Sequence, residues 1–166
     1  MKTLMLIRHA KSDWSDLNAS DFERALNARG IHDAPIMARR ASDRGQMPDA
    51  FISSSACRAV QTAKLMAPQL AFPVEQIEWK DELYLASPSM LLDAVRQAPD
   101  HAQTLALLAH NPGITDLANR LCPAAEIENI PTSGIVTLTF NIDNWQETGF
   151  AGHLAGFDYP HKKQDD

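Results

Sequence analysis

Thr3-Leu4-Met5-Leu6-Ile7 runs straight into Arg8-His9-Ala10-Lys11-Ser12. The first run has the length and composition of a strand buried on both faces. The polar run that breaks it off puts an arginine and a histidine at that strand's carboxyl end. The arrangement recurs: Ala50-Phe51-Ile52-Ser53-Ser54 reads as a second strand passing into Ser55-Ala56-Cys57-Arg58, and Thr104 to Ala109 as a buried strand passing into His110-Asn111-Pro112-Gly113. Helical patterns intervene. From Asn27 onward, Ile31, Ala34, Ala38 and Ala41 share one face, with Pro35 either kinking that helix or restarting it with Asp33 as a cap. Val60, Ala63, Ala67 and Leu70 form a second stripe, ended near Pro73. Ser87-Pro88 is a cap followed by a proline at the first helical position, with Leu91, Leu92, Val95 and Ala98 behind it. A further helix is expected from about Thr115 to Leu121. Val74 to Trp79 reads as a third strand, Gly134 to Asn141 alternates like a strand, and Gly149 to Leu154 is expected to pair with it. Strands alternating with helices predict an α/β fold of three layers, a mostly parallel central sheet flanked by helices.

The 166 residues fit one domain at about 150 residues each. Residues 1–160 are read as that domain, with a charged, frayed tail over 161–166. A net charge of −6 argues against a general electrostatic grip on nucleic acid or an anionic membrane surface, while allowing a local basic pocket. Cys57 and Cys122 lie far apart, and no CxxC or close Cys/His spacing marks a zinc site. They are expected as reduced thiols of a cytoplasmic protein. No apolar run approaches the roughly 20 residues of a membrane helix. Arg8 and His9 interrupt the first apolar stretch and no small-residue cleavage site follows, so no signal peptide is read there.

Open α/β sheets bind ligands in the crevice outside the carboxyl ends of their strands. Arg8-His9, Ser53 to Arg58 and His110-Asn111 converge on such a crevice. Two histidines and two arginines there describe a pocket for an anion, most naturally phosphate, because the planar guanidinium matches phosphate oxygens. Neutral imidazole can act as nucleophile or ligand, and imidazolium can donate to an oxyanion. Taken singly, each of these side chains also fits an ordinary salt-bridged or structural role. The shared position at three strand ends puts the anion site on an equal footing with those roles.

Leu6-Ile7-Arg8-His9-Ala10-Lys11-Ser12 resembles the "RHG" signature of the histidine phosphatase superfamily (branch 1, phosphoglycerate mutase-like). Ser53 to Ala63 resembles its second motif, a serine-rich strand end, an arginine, then Gln61-Thr62-Ala63 on the helix. Ala109-His110-Asn111-Pro112-Gly113 resembles the later histidine segment. Asp21-Phe22-Glu23-Arg24-Ala25-Leu26 with Gly30 resembles the "RPL..RG" stretch, and Thr132-Ser133-Gly134 the turn before a later strand. These motifs stand in the family's order from Leu6 to about Gly134, and the short chain is most similar to the SixA-type phosphohistidine phosphatases. Two departures stand out. Ala10 replaces the usual glycine, tolerable unless that residue needs positive φ. Ala25 replaces the usual proline after Arg24, which leaves that arginine's loop less rigid.

The resemblance implies that His9 takes the phosphoryl group, with Arg8, Arg58, His110 and Arg24 holding its oxygens. Neighbouring arginines are expected to lower the His9 pKa and keep a lone pair available. Water would then hydrolyse the phosphohistidine. Glu82 stands where branches of the family carry an acidic residue and is the candidate general acid, alongside a plain solvent-facing reading. Ser53 to Ser55 are read as shaping a loop, since no G-x-S-x-G elbow surrounds them. His32, His101, His153 and His161 belong to no motif and read as exposed or structural. No cofactor is implied, and a metal held by His9 and His110 is disfavoured because adjacent arginines repel a cation. The expected partner is a phosphorylated protein or a small phosphoester, with no nucleic acid and no membrane; the sequence carries no signal for an oligomeric state. The alternatives are a small-molecule phosphomonoesterase or mutase using the same pocket, and a non-catalytic phosphate or phosphopeptide binder. A binder would need only the arginines.

Overall fold

The structure, a computed structural model, describes residues 1–162. Within them, strands β1 (Lys2–Arg8), β2 (Ala50–Ser54), β3 (Glu78–Lys80), β4 (Thr104–Ala109), β5 (Ile135–Phe140) and β6 (His153–Asp158) form one six-stranded sheet in the order β3-β2-β4-β1-β5-β6. β3, β2, β4 and β1 run parallel, whereas β5 is antiparallel to both β1 and β6. Helices α1 (Ala28–Asp43), α2 (Cys57–Met66), α3 (Pro88–Arg96) and α4 (Gly113–Leu121) cover the two faces.

The central strand shows why the apolar run is continuous rather than alternating. Leu4 and Leu6 enter the core shared with α3 and α4, while Met5 and Ile7 enter the core shared with α1 and α2. A strand covered on both faces has no polar side to display. The result is the three-layer α/β architecture expected. No helix of the described residues is long and apolar enough to cross a membrane.

Several boundaries differ from the sequence-based expectations. α1 runs unbroken through Pro35 and takes Asn27, not Asp33, as its cap, the Asn27 side chain accepting from the Gly30 amide at 2.8 Å. Its buried stripe is Gly30, Ala34, Met37, Ala38 and Ala41, and tertiary packing of that stripe offsets the amide that proline lacks. Ile31, expected inside, is half exposed because Gly30 takes the inward position one residue earlier. Val74–Gln76 is a 3₁₀ turn, leaving only Glu78–Lys80 as the edge strand. The α2 stripe changes too: Arg58, Ala59, Thr62, Ala63 and Met66 face inward, and Ala67–Leu70 continue as a 3₁₀ turn. β6 begins at His153 rather than Gly149. Gly152 instead packs against the Phe140 ring and donates to the Leu121 carbonyl at 2.8 Å, and β6 itself is largely exposed at an edge. Of the expected tail, His161 contacts Arg29 and Lys162 donates to the Phe157 carbonyl; residues 163–166 lie outside the described residues. Cys57 is half-buried and Cys122 buried, and neither is paired.

Candidate active site

Parallel pairing decides where the chemistry gathers. Arg8 of β1 is in register with Ala109 of β4, and Ser53 of β2 with Leu108. The residues that follow, His9, Ser54 and His110, therefore leave the sheet along one edge. The rings of His9 and His110 stand 5.1 Å apart. Around them a cavity of about 520 Å³ opens to the surface, and Arg8, His9, Arg24, Arg58 and His110 all line it.

Each motif has a mechanical role in building that edge. Thr62 Oγ1 accepts from the Ala10 amide at 2.9 Å and Gln61 Oε1 from the Leu26 amide at 2.7 Å. One turn of α2 thereby anchors both the loop after His9 and the loop after Arg24. The Asp13 amide donates to the Ala25 carbonyl at 2.7 Å, which restrains the segment where proline is replaced. Ala10 is fully buried and is not among the residues at positive φ, so it occupies the glycine position without strain. The Ser133 amide donates to the His9 carbonyl and the Arg8 amide to the Gly134 carbonyl, both at 3.1 Å.

His9 is buried, and its Nδ1 donates to the Ala10 carbonyl at 2.7 Å. A carbonyl only accepts, so Nδ1 carries the hydrogen and Nε2 presents a lone pair. Arg58 Nε lies 3.4 Å from that Nε2. The His9 pKa is lowered to about 3; burial is the largest cause, the Ala10 bond opposes it, and His110, Arg58 and Arg8 add smaller effects. The arginines lower it as expected, but by less than desolvation does. His110 is lowered to about 4, again chiefly by burial and then by Arg58; its Nε2 lies 2.7 Å from Ser54 Oγ.

Buried donors without a protein partner point to the ligand class. Arg8 donates through Nη1 to the Ile130 carbonyl at 3.0 Å, but its Nε is unpartnered. Arg24 Nη2 reaches Asp21 at 3.0 Å and its guanidinium lies 3.6 Å from the Trp14 ring centre, yet its Nε and Nη1 are unpartnered. His110 Nδ1 is likewise unpartnered, and is a donor when Nε2 accepts from the Ser54 hydroxyl. Buried polar groups are ordinarily satisfied, and donors of this kind on a shared cavity suit a multivalent oxyanion. Among the described residues, no three His, Cys, Asp or Glu side chains gather in a way that could hold a metal ion.

A model of the histidine phosphatase superfamily (branch 1) matches residues 4–121. The chain belongs to this superfamily. An uncharacterised protein of Mycobacterium tuberculosis is 33% identical over 165 residues, covering 93% of this chain and 99% of the relative. SixA from Agrobacterium tumefaciens is 30% identical and superposes with a TM-score of 0.77 over 96% of this chain and 99% of that one. The protein histidine phosphatase SixA complexed with tungstate shares the fold at 20% identity, with a TM-score of 0.80 over 93% and 95% of the two chains. This chain is accordingly a histidine-type phosphatase with a SixA-like fold.

Within this histidine phosphatase, the candidate general acid stands apart from the other candidate residues. Glu82 does not line the cavity; its side chain is exposed, with Lys80 Nζ 3.9 Å away. Two residues further on, Tyr84 donates its hydroxyl to Asp21, and Asp21 lines the cavity. Tyr84 and Asp21 are the site groups that the sequence reading passed over, although Asp21 stands three residues before Arg24 inside a recognised motif. Ser54 shapes the site through His110 rather than lining a loop alone.

Proposed function

We propose that this chain dephosphorylates a phosphohistidine-bearing protein through a phosphorylated His9. The observation that carries the reading is the buried His9 ring, its Nε2 lone pair facing Arg58 within a cavity lined by unpartnered donors. In the first step Nε2 attacks phosphorus, a bond to phosphorus forms, and the bond to the leaving nitrogen breaks. Charge on the equatorial oxygens is met by Arg8, Arg24, Arg58 and His110. The departing imidazole takes a proton from water. Water then attacks the phosphorylated His9, releasing inorganic phosphate and restoring the imidazole.

The acid groups support nitrogen rather than oxygen as the leaving atom. Glu82 is outside the cavity, and Asp21 is held well below the usual carboxylate range, first by the Tyr84 hydroxyl and then by Arg24 and Arg58. An alkoxide would need a protonated acid there, whereas imidazole departs with less help. The free cysteines are in keeping with a reducing, cytoplasmic setting. The test is a rapid quench after mixing with a labelled phosphohistidine protein. An acid-labile, base-stable phosphoenzyme is expected in the native chain and absent from His9→Ala. Turnover of sugar phosphates or phosphoglycerates in preference to the phosphoprotein would overturn the substrate assignment.

A further inference from the structure

A carboxylate stands on the wall of a cavity otherwise suited to anions. Asp21 opposes the binding of any phosphate by its charge, so its place there calls for a compensating role. Its contacts define one. The Asp21 carbonyl accepts from Arg58 Nη1 at 2.6 Å, its Oδ2 from Arg58 Nη2 at 3.0 Å, and its Oδ1 from Arg24 Nη2 at 3.0 Å. Tyr84, 63 residues away in sequence, donates its hydroxyl to the same Oδ2. The Tyr84 ring is held edge-on to His110 at 5.5 Å and to Phe22 at 5.0 Å.

A planar guanidinium gripped at two nitrogens cannot turn about its long axis. Arg58 is gripped at Nη1 and Nη2 by one residue, and the remaining nitrogen, Nε, is the one beside His9 Nε2. Arg24 is gripped at Nη2, while Nε and Nη1 are unpartnered. Asp21 thus takes nitrogens of both arginines from one side, with Arg58 Nε directed to His9 Nε2 and Arg24 Nε and Nη1 left to an incoming phosphoryl group.

We propose that Asp21, itself fixed by Tyr84, is a positioning residue that aligns Arg58 and Arg24 on the phosphoryl group as it approaches His9, at the expense of ground-state affinity. This rests on the reading of the cavity as a phosphoryl site. Coulomb repulsion across a few ångströms of hydrated cavity changes phosphate binding by roughly three- to tenfold. Misplacing a catalytic group by an ångström changes rate by up to about 10². Alignment is therefore the larger effect.

The test compares Asp21→Asn and Tyr84→Phe with the native full-length chain, using calorimetry with inorganic phosphate and steady-state kinetics with p-nitrophenyl phosphate and a phosphohistidine protein. Asp21→Asn is expected to bind inorganic phosphate roughly three- to tenfold tighter while kcat falls about 10- to 100-fold. Tyr84→Phe keeps the charge, so phosphate affinity should hold within about twofold while kcat falls several-fold; this variant carries the test if Asp21→Asn does not fold. Higher affinity together with higher kcat would make Asp21 a mere competitor and overturn the proposal. Weaker binding together with lower kcat would make it a scaffold residue, and no change in either would leave it without a role; both overturn it. A native chain that binds no phosphate at all would overturn the cavity reading, and this proposal with it.

Discussion

In the proposed mechanism His9 must be neutral to attack phosphorus, and burial lowers its pKa in that direction. Its pKa near 3 and that of His110 near 4 lie well below the ordinary 6.5 of histidine. Phosphorylation of His9 should therefore stay level as pH falls through 6.5 and decline only toward pH 4 and below; quench-flow across that range checks it. A decline centred near 6.5 would mean an exposed, ordinary imidazole. The same shifts act on stability. Between their unfolded and folded pKa values the unfolded chain binds more protons, so stability falls as pH falls from about 6.5 toward 3. His110→Asn should make the urea midpoint less steep in pH over that interval, because one of the two buried neutral imidazoles is gone. The arginines obey a different logic. Arg58 is only 3% exposed and presents its Nε beside the proposed nucleophile, so Arg58→Gln should lower the rate of His9 phosphorylation by about 10²–10³, the typical loss on removing one preorganised donor.

At the level of elements, the start of α1 is pressed against the loop that leaves β1. A methyl group on Gly30 would lie 2.2 Å from the Lys11 carbonyl oxygen, and the Asn27 amide donates to that same oxygen at 3.0 Å. Gly30→Ala should cost about 1–3 kcal/mol through overpacking, read as a lower urea midpoint, and should slow phosphotransfer because the displaced loop follows His9 directly. Such contacts explain which parts of the fold and site were legible in the sequence. β1, β2 and β4 were legible because double burial writes an uninterrupted apolar run, and the polar break after each run marked Arg8, His9 and His110. β3 and β6 were obscured because an edge strand carries little apolar pattern, as His153 and Leu154 show by their exposure. Pro35 argued for a break that the alanine stripe of α1 overrides. Asp21 and Tyr84 were missed because their roles arise from a contact across 63 residues, whereas Glu82 drew notice by its place in the order of the family's motifs. The dominance of burial over arginines at His9 was likewise a tertiary fact: no local pattern records how completely a ring is covered.

For the molecule as a whole, the proposed catalytic edge joins central strands to peripheral segments. His9 and His110 are anchored to β1 and β4, the adjacent central strands of the sheet, paired on both sides and packed into both cores. The arginine-positioning group comes from elsewhere: Asp21 and Arg24 lie on the segment between β1 and α1, and Tyr84 on the segment after β3, at the edge of the sheet. Amide exchange in central strands tracks global unfolding, while peripheral segments open locally at much lower free energy. In the free protein, residues 4–7 and 105–108 should therefore exchange slowest, and residues 14–24 and 82–86 among the fastest. A bound oxyanion stabilises only the states that bind it. In the proposed site it would also bridge the anchored histidines to Arg24 on the peripheral loop. Saturating orthovanadate should consequently slow exchange in residues 21–26 and 82–86 by the greatest factor, through suppression of local opening. The central strands should slow only by the smaller factor set by global stabilisation. Equal protection throughout would mean that Asp21, Arg24 and Tyr84 are already as fixed as the sheet. Protection confined to residues 4–7 and 105–108 would mean that the anion is held by the histidines without the arginine loop, contrary to the convergence of both on one cavity.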